Sequence, residues 1–172
     1  MTIDKASVII KVRSTDYCSK NINLWNELVS VSDADFLFSN YNWLLSFWES
    51  YGDVFSSKVY IAVEETTQKW LGILPVTTYK TGLFDLYTDI CSSTASEYSD
   101  YFSPIIHKKH SNQILPLLLN YFLDKNPNAH LFRLSNIINN QDLHSTIEET
   151  LTERRMPFTK LLSGCPILKF NN

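Results

Sequence analysis

The segment from residue 97 to residue 104 concentrates the side chains best suited to acid–base chemistry. It contains two carboxylates, Glu97 and Asp100, and two phenols, Tyr98 and Tyr101. A carboxylate beside a phenol can accept a proton from an incoming amine or hydroxyl, or hold that group by a hydrogen bond. The same residues also suit a structural turn, in which Asp100 accepts hydrogen bonds from backbone N–H groups and Tyr101 packs inward. The residues alone leave both interpretations open.

Histidine offers a weaker alternative. His107 and His110 stand three residues apart and could share a metal ion on a helix. Lys108 and Lys109 lie between them, and their charge would repel a cation. We therefore expect exposed loop histidines and no metal site. His130 lies in an apolar run and is expected in the core.

Cysteine and serine nucleophiles have little local support. A serine nucleophile needs a sharp turn such as G-x-S-x-G, which the sequence lacks. Cys91 or Cys165 with a distant histidine stays open, because such partners meet in space rather than in sequence. Three widely separated cysteines, Cys18 being the third, are typical of free thiols in a reducing compartment. With no signal-peptide pattern at the start, we expect a cytoplasmic protein.

Composition excludes several classes of function. The 172 residues carry four glycines, too far apart for a glycine-rich phosphate loop. The net charge is −3 and the basic residues are scattered, which argues against a nucleic-acid surface. Asn120 and Asp124 interrupt the longest apolar stretch, so no run reaches the ~20 residues of a membrane span.

Hydrophobic periodicity predicts an α/β (α+β) fold in which hairpins precede α-β alternation. Helical spacing and caps predict helices around 24–31, 41–51, 114–123 and 143–151. Apolar and β-branched runs predict strands at 7–13, 59–63, 70–79, 83–87, 101–106, 129–134 and 166–170. Residues 92–100 are expected to form a loop.

Two residues should mark helix ends. Gly52 follows the second predicted helix, and glycine accepts the left-handed conformation that commonly ends a helix. Pro116 clashes with regular helix geometry beyond the first turn. We therefore expect the regular part of the third helix to begin near Leu115.

Aromatic residues crowd the first half of the chain. At helical spacing such a stripe is typical of a core, although it could also line a ligand groove. In the groove interpretation Trp43 joins Glu97 and Tyr98 as a candidate substrate-binding residue. The aromatic set comprises Trp25, Phe36, Phe38, Trp43, Phe47, Trp48 and Phe55.

Five short motifs, each weakly specific, occur in a characteristic order. They are LWNEL at 24–28, FSNYNWL at 38–44 followed by Tyr51-Gly52, LGILP at 71–75, SDY at 99–101 and CPIL at 165–168. Their order and spacing resemble the N-terminal half of the cellulose-biosynthesis-like GNAT acetyltransferases (BioF-like), which are related to the FemAB aminoacyl transferases. The resemblance covers the chain from about residue 24 to residue 170.

The resemblance implies a GNAT-like mixed, largely antiparallel sheet flanked by helices. Residues 1–172 would form one such domain, the N-terminal half of a two-domain acyltransferase. The implied reaction moves an acyl group from acetyl-CoA or another acyl-CoA to an amino or hydroxyl acceptor, such as a sugar or cell-envelope precursor, without a metal. Asp100 would orient or deprotonate the acceptor, and Tyr101 would donate to a developing oxyanion or hold the acceptor.

The chain departs from that family in two respects. It stops where the second half should begin, and it lacks the Q/R-x-x-G-x-G/A loop whose backbone N–H groups bind the pyrophosphate of CoA at a helix N-terminus. No cofactor-binding residue is therefore assigned. The alternative function is a non-catalytic GNAT-like module that binds a partner or glycan, or forms a homodimer that replaces the missing half.

Overall fold

The computed structural model describes residues 7–83, 86–94, 103–135, 137 and 141–160. The strands of this part are β1 (Val8–Arg13), β2 (Ser56–Glu64), β3 (Trp70–Leu83), β4 (Leu86–Ser93), β5 (Ile105–Ile106) and β6 (Leu131–Arg133). The helices are α1 (Thr15–Lys20), α2 (Ile22–Ser30), α3 (Tyr41–Tyr51), α4 (Ser111–Lys125) and α5 (Gln141–Glu153). A 3₁₀ turn, Lys108–His110, leads into α4.

The strands form one mixed sheet in the order β1-β2-β3-β4-β6. Neighbours are antiparallel except for β4 and β6, which are parallel. The short strand β5 pairs with β3 beyond the end of β4. The predicted hairpin of β2 and β3 is confirmed, and so is the largely antiparallel sheet.

Side chains alternate between two cores on the two faces of the sheet, as strand geometry requires. Val59, Ile61 and Val63 of β2 pack beneath α1–α3. Tyr60 and Ala62 point the other way and pack beneath α4 and α5. The helices therefore form one layer on each side of the sheet.

The predicted helix caps are confirmed in part. Asn40 caps α3 by accepting a hydrogen bond from the backbone N–H of Asn42. Gly52 ends α3 but has φ −61° and ψ −25°, so the expectation of a left-handed cap is wrong. A Cβ at Gly52 would lie 2.7 Å from the Trp48 carbonyl oxygen, so the close approach of that carbonyl is what requires glycine.

Helix α4 is longer than the sequence predicts. It begins at Ser111, and Pro116 lies inside it rather than in its first turn. An internal proline removes one helical hydrogen bond and costs about 3 kcal/mol. The helix tolerates it because α4 buries a continuous apolar face, which comprises Ile114, Leu115, Leu118, Leu119, Phe122 and Leu123.

Three further expectations need correction. Helix α1 occupies a stretch expected to be a turn, and Ser14 caps it by accepting from the N–H of Tyr17. Strand β4 runs on to Ser93, into residues expected to be loop. Strand β6 is not a buried strand: Leu131 is 46% exposed and His130 is exposed, because the described helices cover only the face of β6 that carries Phe132. The predicted strand at 166–170 lies outside the described residues.

Candidate functional site

The most unusual feature of the sheet is the place where β4 leaves it. Ser93 pairs with Val76 of β3, and the N–H of Thr94 donates to the carbonyl of Pro75 at 3.2 Å. Further along the chain, Ile105 pairs with Ile73 of the same strand. At about 3.3 Å per residue, the two junctions lie about 10 Å apart along β3. The described residues on both sides of the connecting segment therefore pair with β3.

Four of the candidate site residues belong to the segment that connects β4 to β5. Glu97, Tyr98, Asp100 and Tyr101 lie outside the described residues, so their roles stay predictions. What the structure adds is the position of the two ends of the segment, at the carboxyl end of β4 and beside β3.

Trp43 is the fifth candidate, and it lies on α3. It is half-buried and meets Phe38 edge to face, with ring centroids 5.2 Å apart. Other members of the aromatic set, Trp25 and Trp48, are core residues as predicted, whereas Phe36 is 73% exposed. The stripe therefore serves mainly as core, with Trp43 at its margin.

A row of hydroxyl side chains crosses the sheet next to the point where β4 ends. Ser57, Thr77 and Ser92 are in register across β2, β3 and β4, so they share one face, the one that carries α1–α3. Arg133 of β6 continues the row. The Oγ1 atoms of Thr77 and Thr94 are 2.9 Å apart. Thr77, Ser92 and Thr94 are buried, so this part of the row is a buried set of uncharged hydrogen-bonding groups, with the exposed Arg133 at its β6 end.

Ser93 adds a buried hydroxyl to the opposite face. Ser93 is 2% exposed, and its Oγ has no hydrogen-bond partner among the described residues. A buried polar atom without a partner costs about 1–3 kcal/mol and calls for an explanation. The sequence signal for both features is Ser92-Ser93-Thr94 after an apolar strand, which sequence reasoning assigned to a loop.

The segment between β5 and α4 is held by its own backbone amides. The N–H of His107 donates to the carbonyl of Leu71 at 3.0 Å, and that of Lys108 donates to the carbonyl of Val31 at 3.1 Å. The N–H of His110 donates to the His107 carbonyl, and that of Lys109 to His107 Nδ1. All four amides are therefore engaged within the protein.

His107 and His110 form a ring pair rather than two exposed loop residues. Their centroids are 4.8 Å apart and both side chains are half-buried. Burial, followed by the charge of the neighbouring histidine, lowers the pKa of His107. Burial also lowers the pKa of His110, whose Nδ1 is buried and has no partner in the part of the chain that the structure describes. The positive charge of this segment thus comes from the exposed Lys108 and Lys109.

Gly72 brings α4 close to the sheet at this point. A Cβ at Gly72 would lie 2.6 Å from Ile114 Cγ2 and 2.9 Å from Leu118 Cδ1, closer than carbon atoms pack. Only glycine leaves room for the helix at this depth. The sequence predicted that Gly72 lies in a strand, but it did not indicate the close contact with α4.

An open cleft of about 840 Å³ lies beside the hydroxyl row, at the next positions along the strands. Phe55 and Tyr79, in edge-to-face contact at 5.2 Å, form an aromatic wall. Other walls include Ile90 and Cys91 of β4, residues 52–54 after α3, and residues 125–129 at the end of α4. A space of this size can take a small-molecule ligand.

Neither a metal cluster nor a membrane helix is found in the described ranges. No group of three or more His, Cys, Asp or Glu side chains is arranged to hold a metal ion there. Of the helices described, none is long and apolar enough to cross a bilayer. Cys18 and Cys91 are both buried.

Comparisons with known proteins support the fold. No protein-family profile matches the sequence, and no curated protein is significantly similar to it. The structure is similar to that of glucosamine-6-phosphate N-acetyltransferase from Arabidopsis thaliana, with a TM-score of 0.54, 14% identity and coverage of 92% of this chain and 97% of that one.

Two further solved structures have the same architecture. A ribosomal-protein-alanine N-acetyltransferase from Brucella melitensis biovar Abortus 2308 matches with a TM-score of 0.51 and 11% identity, over 95% of this chain and 99% of that one. An aminoglycoside acetyltransferase from an uncultured soil metagenomic sample, in complex with sisomicin, matches with a TM-score of 0.53 and 10% identity, over 95% and 98%. The chain described here has the fold of these acetyltransferases.

Proposed function

We propose that this chain is a GNAT-type acyltransferase that moves an acyl group from an acyl-CoA to an amino or hydroxyl acceptor. The observation that carries the proposal is the seam between the parallel strands β4 and β6. Buried hydroxyl groups lie where this pair of strands ends. The fold is shared with acetyltransferases that are named for three different acceptors. Ligands of open α/β sheets bind outside the carboxyl ends of parallel strands, and the carboxyl ends of β4 and β6 meet here.

The residues present fit the phosphates of acyl-CoA by charge but not by a backbone cradle. The amides of residues 107–110 are engaged, so they cannot serve as the family's glycine loop does. Lys108 and Lys109, exposed beside the start of α4, would hold the phosphates instead, assisted by the positive end of the helix dipole. Bound acyl-CoA supplies a thioester, which is an activated acyl group.

The acceptor would bind on the face that carries the hydroxyl row. The cleft beside the row gives room for a ring-sized molecule, and it is lined by Tyr79 and Ile90, which pair on the same face of the sheet as Thr77 and Ser92. Asp100 would orient or deprotonate the acceptor, and Tyr101 would donate to the developing oxyanion.

Three residues complete the proposed acceptor site. Glu97 and Tyr98, in the segment that connects β4 to β5, would hold the acceptor. Trp43 would contact it through the exposed part of its ring. These assignments rest on residue type and on the resemblance described above.

Finer features of the proposal come from the same resemblance. We propose a cell-envelope or sugar acceptor of the FemAB-related kind, a cytoplasmic location, and a place as the N-terminal half of a two-domain enzyme or as a homodimer. Solved acetyltransferases named for a sugar phosphate and for aminoglycosides have this fold, which supports a small polar acceptor. A single copy of the fold spans 97–98% of those two chains.

One observation favours the alternative, a non-catalytic module that binds a partner or a glycan. The engaged amides at residues 107–110 leave α4 without a free backbone cradle in front of it. A chain that had lost donor binding would keep the sheet and the cleft but would not recognise acyl-CoA.

Thermal unfolding with acetyl-CoA separates the two functions. Binding stabilises the folded state by RT ln(1 + [L]/Kd), which is about 2.7 kcal/mol at 100 Kd. We expect a saturating rise in Tm with millimolar acetyl-CoA. The double variant Lys108→Gln/Lys109→Gln should weaken binding by about tenfold or more, since charge-assisted contacts are lost.

The matched control is Lys58→Gln, which removes one exposed charge from β2, away from the start of α4; its neighbour on the same face, Tyr60, contacts Asn126 at the other end of that helix. Release of free CoA thiol in the presence of amino sugars and aminoglycosides then tests transfer, and Asp100→Asn should abolish it. Absence of any Tm shift and of thiol release would establish the binding module instead.

A further inference from the structure

A second, smaller pocket lies at the opposite edge of the sheet. Its volume is about 100 Å³, and its walls include Lys11 and Arg13 of β1, Tyr17 of α1, and Trp70 at the start of β3. Strand β1 is three positions from β4 in the sheet, or about 14 Å at 4.8 Å per strand. The pocket is therefore separate from the proposed acyl-transfer site.

Two cations share this pocket. Lys11 and Arg13 are two residues apart on one strand, so their side chains leave the same face. The Arg13 guanidinium lies over the Tyr17 ring, 5.0 Å from its centroid, and one of its N–H groups donates to the carbonyl of Val12 at 3.1 Å. Its Nε is buried and has no acceptor within the described ranges.

The charge of this pair is not neutralised by the described residues. Neither Lys11 nor Arg13 forms an ion pair with a carboxylate there, and the carboxylate of Asp16 is held by Lys20 at 2.9 Å. Cys18 lies within electrostatic reach of Arg13, but burial raises the pKa of its thiol to about 12, so it stays neutral. An incoming anion would meet two uncompensated positive charges.

Gln68 positions one of them. Its Oε1 accepts from Lys11 Nζ at 2.7 Å, and its Nε2 donates to the carbonyl of Glu65 at 2.7 Å. Its backbone has φ 58°, a left-handed conformation that is strained for a side chain of this size. The turn between β2 and β3 thus holds the ammonium group at the pocket.

We infer that this pocket binds the oxyanion group of a small molecule, a carboxylate or a phosphate, between Lys11 and Arg13. Its volume equals about three water molecules at ~30 Å³ each, which suits such a group and excludes a whole nucleotide or sugar. The Tyr17 and Trp70 rings, stacked 6.4 Å apart, offer an apolar wall to the carbon atoms attached to the anion.

The experiment is a titration of the full chain with sodium phosphate and, separately, with sodium acetate, at constant ionic strength. The ¹H–¹⁵N NMR shifts of Trp70 and Gln68 report on the pocket. We expect saturating shifts with both anions and tighter binding of phosphate, whose second negative charge meets the second cation. Lys11→Gln and Arg13→Gln should each weaken binding by about tenfold, the scale of one charge-assisted hydrogen bond.

The controls separate a built site from general charge effects. Lys58→Gln removes the same charge from the neighbouring strand and should leave both affinities within about twofold, since exposed charges outside the pocket contribute little. Arg13→Lys keeps the charge and the fold, and should retain part of the binding. Saturation by acetate alone would assign the pocket to carboxylates, and saturation by phosphate alone would assign it to phosphates.

Two results would overturn the inference. One is a linear, non-saturating response to both anions. The other is an equal loss of binding in Lys58→Gln. In either case Lys11 and Arg13 would serve only as edge-strand cations that discourage pairing with another chain.

Discussion

The two faces of the sheet are packed by different physical means. Beneath α1–α3 the core is aromatic, with Trp25 edge-on to Tyr41 and Trp48 at centroid distances of 5.5 and 6.4 Å. Beneath α4 it is mainly aliphatic, and the closest approach is that of Ile114 and Leu118 to Gly72. Edge-to-face contacts between aromatic rings define the packing on one face. The fit of aliphatic side chains against the sheet defines it on the other.

Hydrogen bonds reinforce the difference. Trp25 Nε1 donates to the carbonyl of Ser39 at 2.9 Å, and the Tyr41 hydroxyl donates to the carbonyl of Thr15 at 3.3 Å. These bonds tie the aromatic core to the loop that precedes α3 and to the first residue of α1. The buried side chains of α4 are apolar, so no side-chain hydrogen bond fixes their orientation. We conclude that the aromatic face tolerates fewer substitutions of equal size, whereas the aliphatic face mainly requires the correct volume.

Replacement of Trp25 should have the largest effect on stability. Trp25 is fully buried, and Trp25→Ala should lower the free energy of unfolding by about 3–5 kcal/mol through the cavity that it leaves. Trp25→Phe restores much of the volume but leaves the buried Ser39 carbonyl without its donor, and should still cost about 1–3 kcal/mol. Urea denaturation monitored by circular dichroism measures both.

The matched variant on the other face is Leu118→Met. Leu118 is also fully buried, and a swap of similar volume should cost less than about 1.5 kcal/mol. A loss in Leu118→Met equal to that in Trp25→Phe would contradict the difference between the faces.

Gly72→Ala tests the shape requirement directly. The added Cβ would overlap Ile114 and Leu118, so we expect a loss of about 1–3 kcal/mol in the free energy of unfolding. In the double variant Gly72→Ala/Ile114→Ala the cavity accepts the new methyl group, and the total loss should be smaller than the sum of the two single losses. Strict additivity would mean that the contact at Gly72 does not limit the approach of α4.

Local signals predicted much of the fold. The apolar stripe over residues 41–51, with Ser39 or Asn40 as a cap, predicted α3, and the polar run 64–69 between two apolar stretches predicted the hairpin of β2 and β3. Tertiary contacts decided the rest. Pro116 led us to expect that α4 begins near residue 115. The helix begins earlier because burial of its apolar face stabilises it by more than the missing hydrogen bond costs. Leu131 looked buried by its type, although the described helices cover only one face of β6.

The candidate site was harder to predict, because its described parts meet only across strands. The hydroxyl row needs the register of Ser57 with Thr77 and of Thr77 with Ser92, and no spacing in the sequence encodes that register. The pairing of Lys11 with Gln68 likewise joins residues 57 positions apart. The segment 97–101 was found because its carboxylates and phenols are adjacent in sequence.

The smallest effect on stability that we expect comes from the ring pair of His107 and His110, which directly precedes α4. Folding holds the pKa of His107 below its ordinary value of 6.5, chiefly through burial, and Nδ1 must stay unprotonated to accept from the N–H of Lys109. The unfolded state therefore binds the proton more readily, so stability should fall as the pH drops through 6.5. His107→Asn keeps a side-chain acceptor without titrating, and its denaturation midpoint should change less than that of the wild type between pH 7.5 and 5.5. If removal of the exposed His130, in His130→Asn, flattened the response equally, the pH dependence would reflect overall charge rather than the buried ring pair.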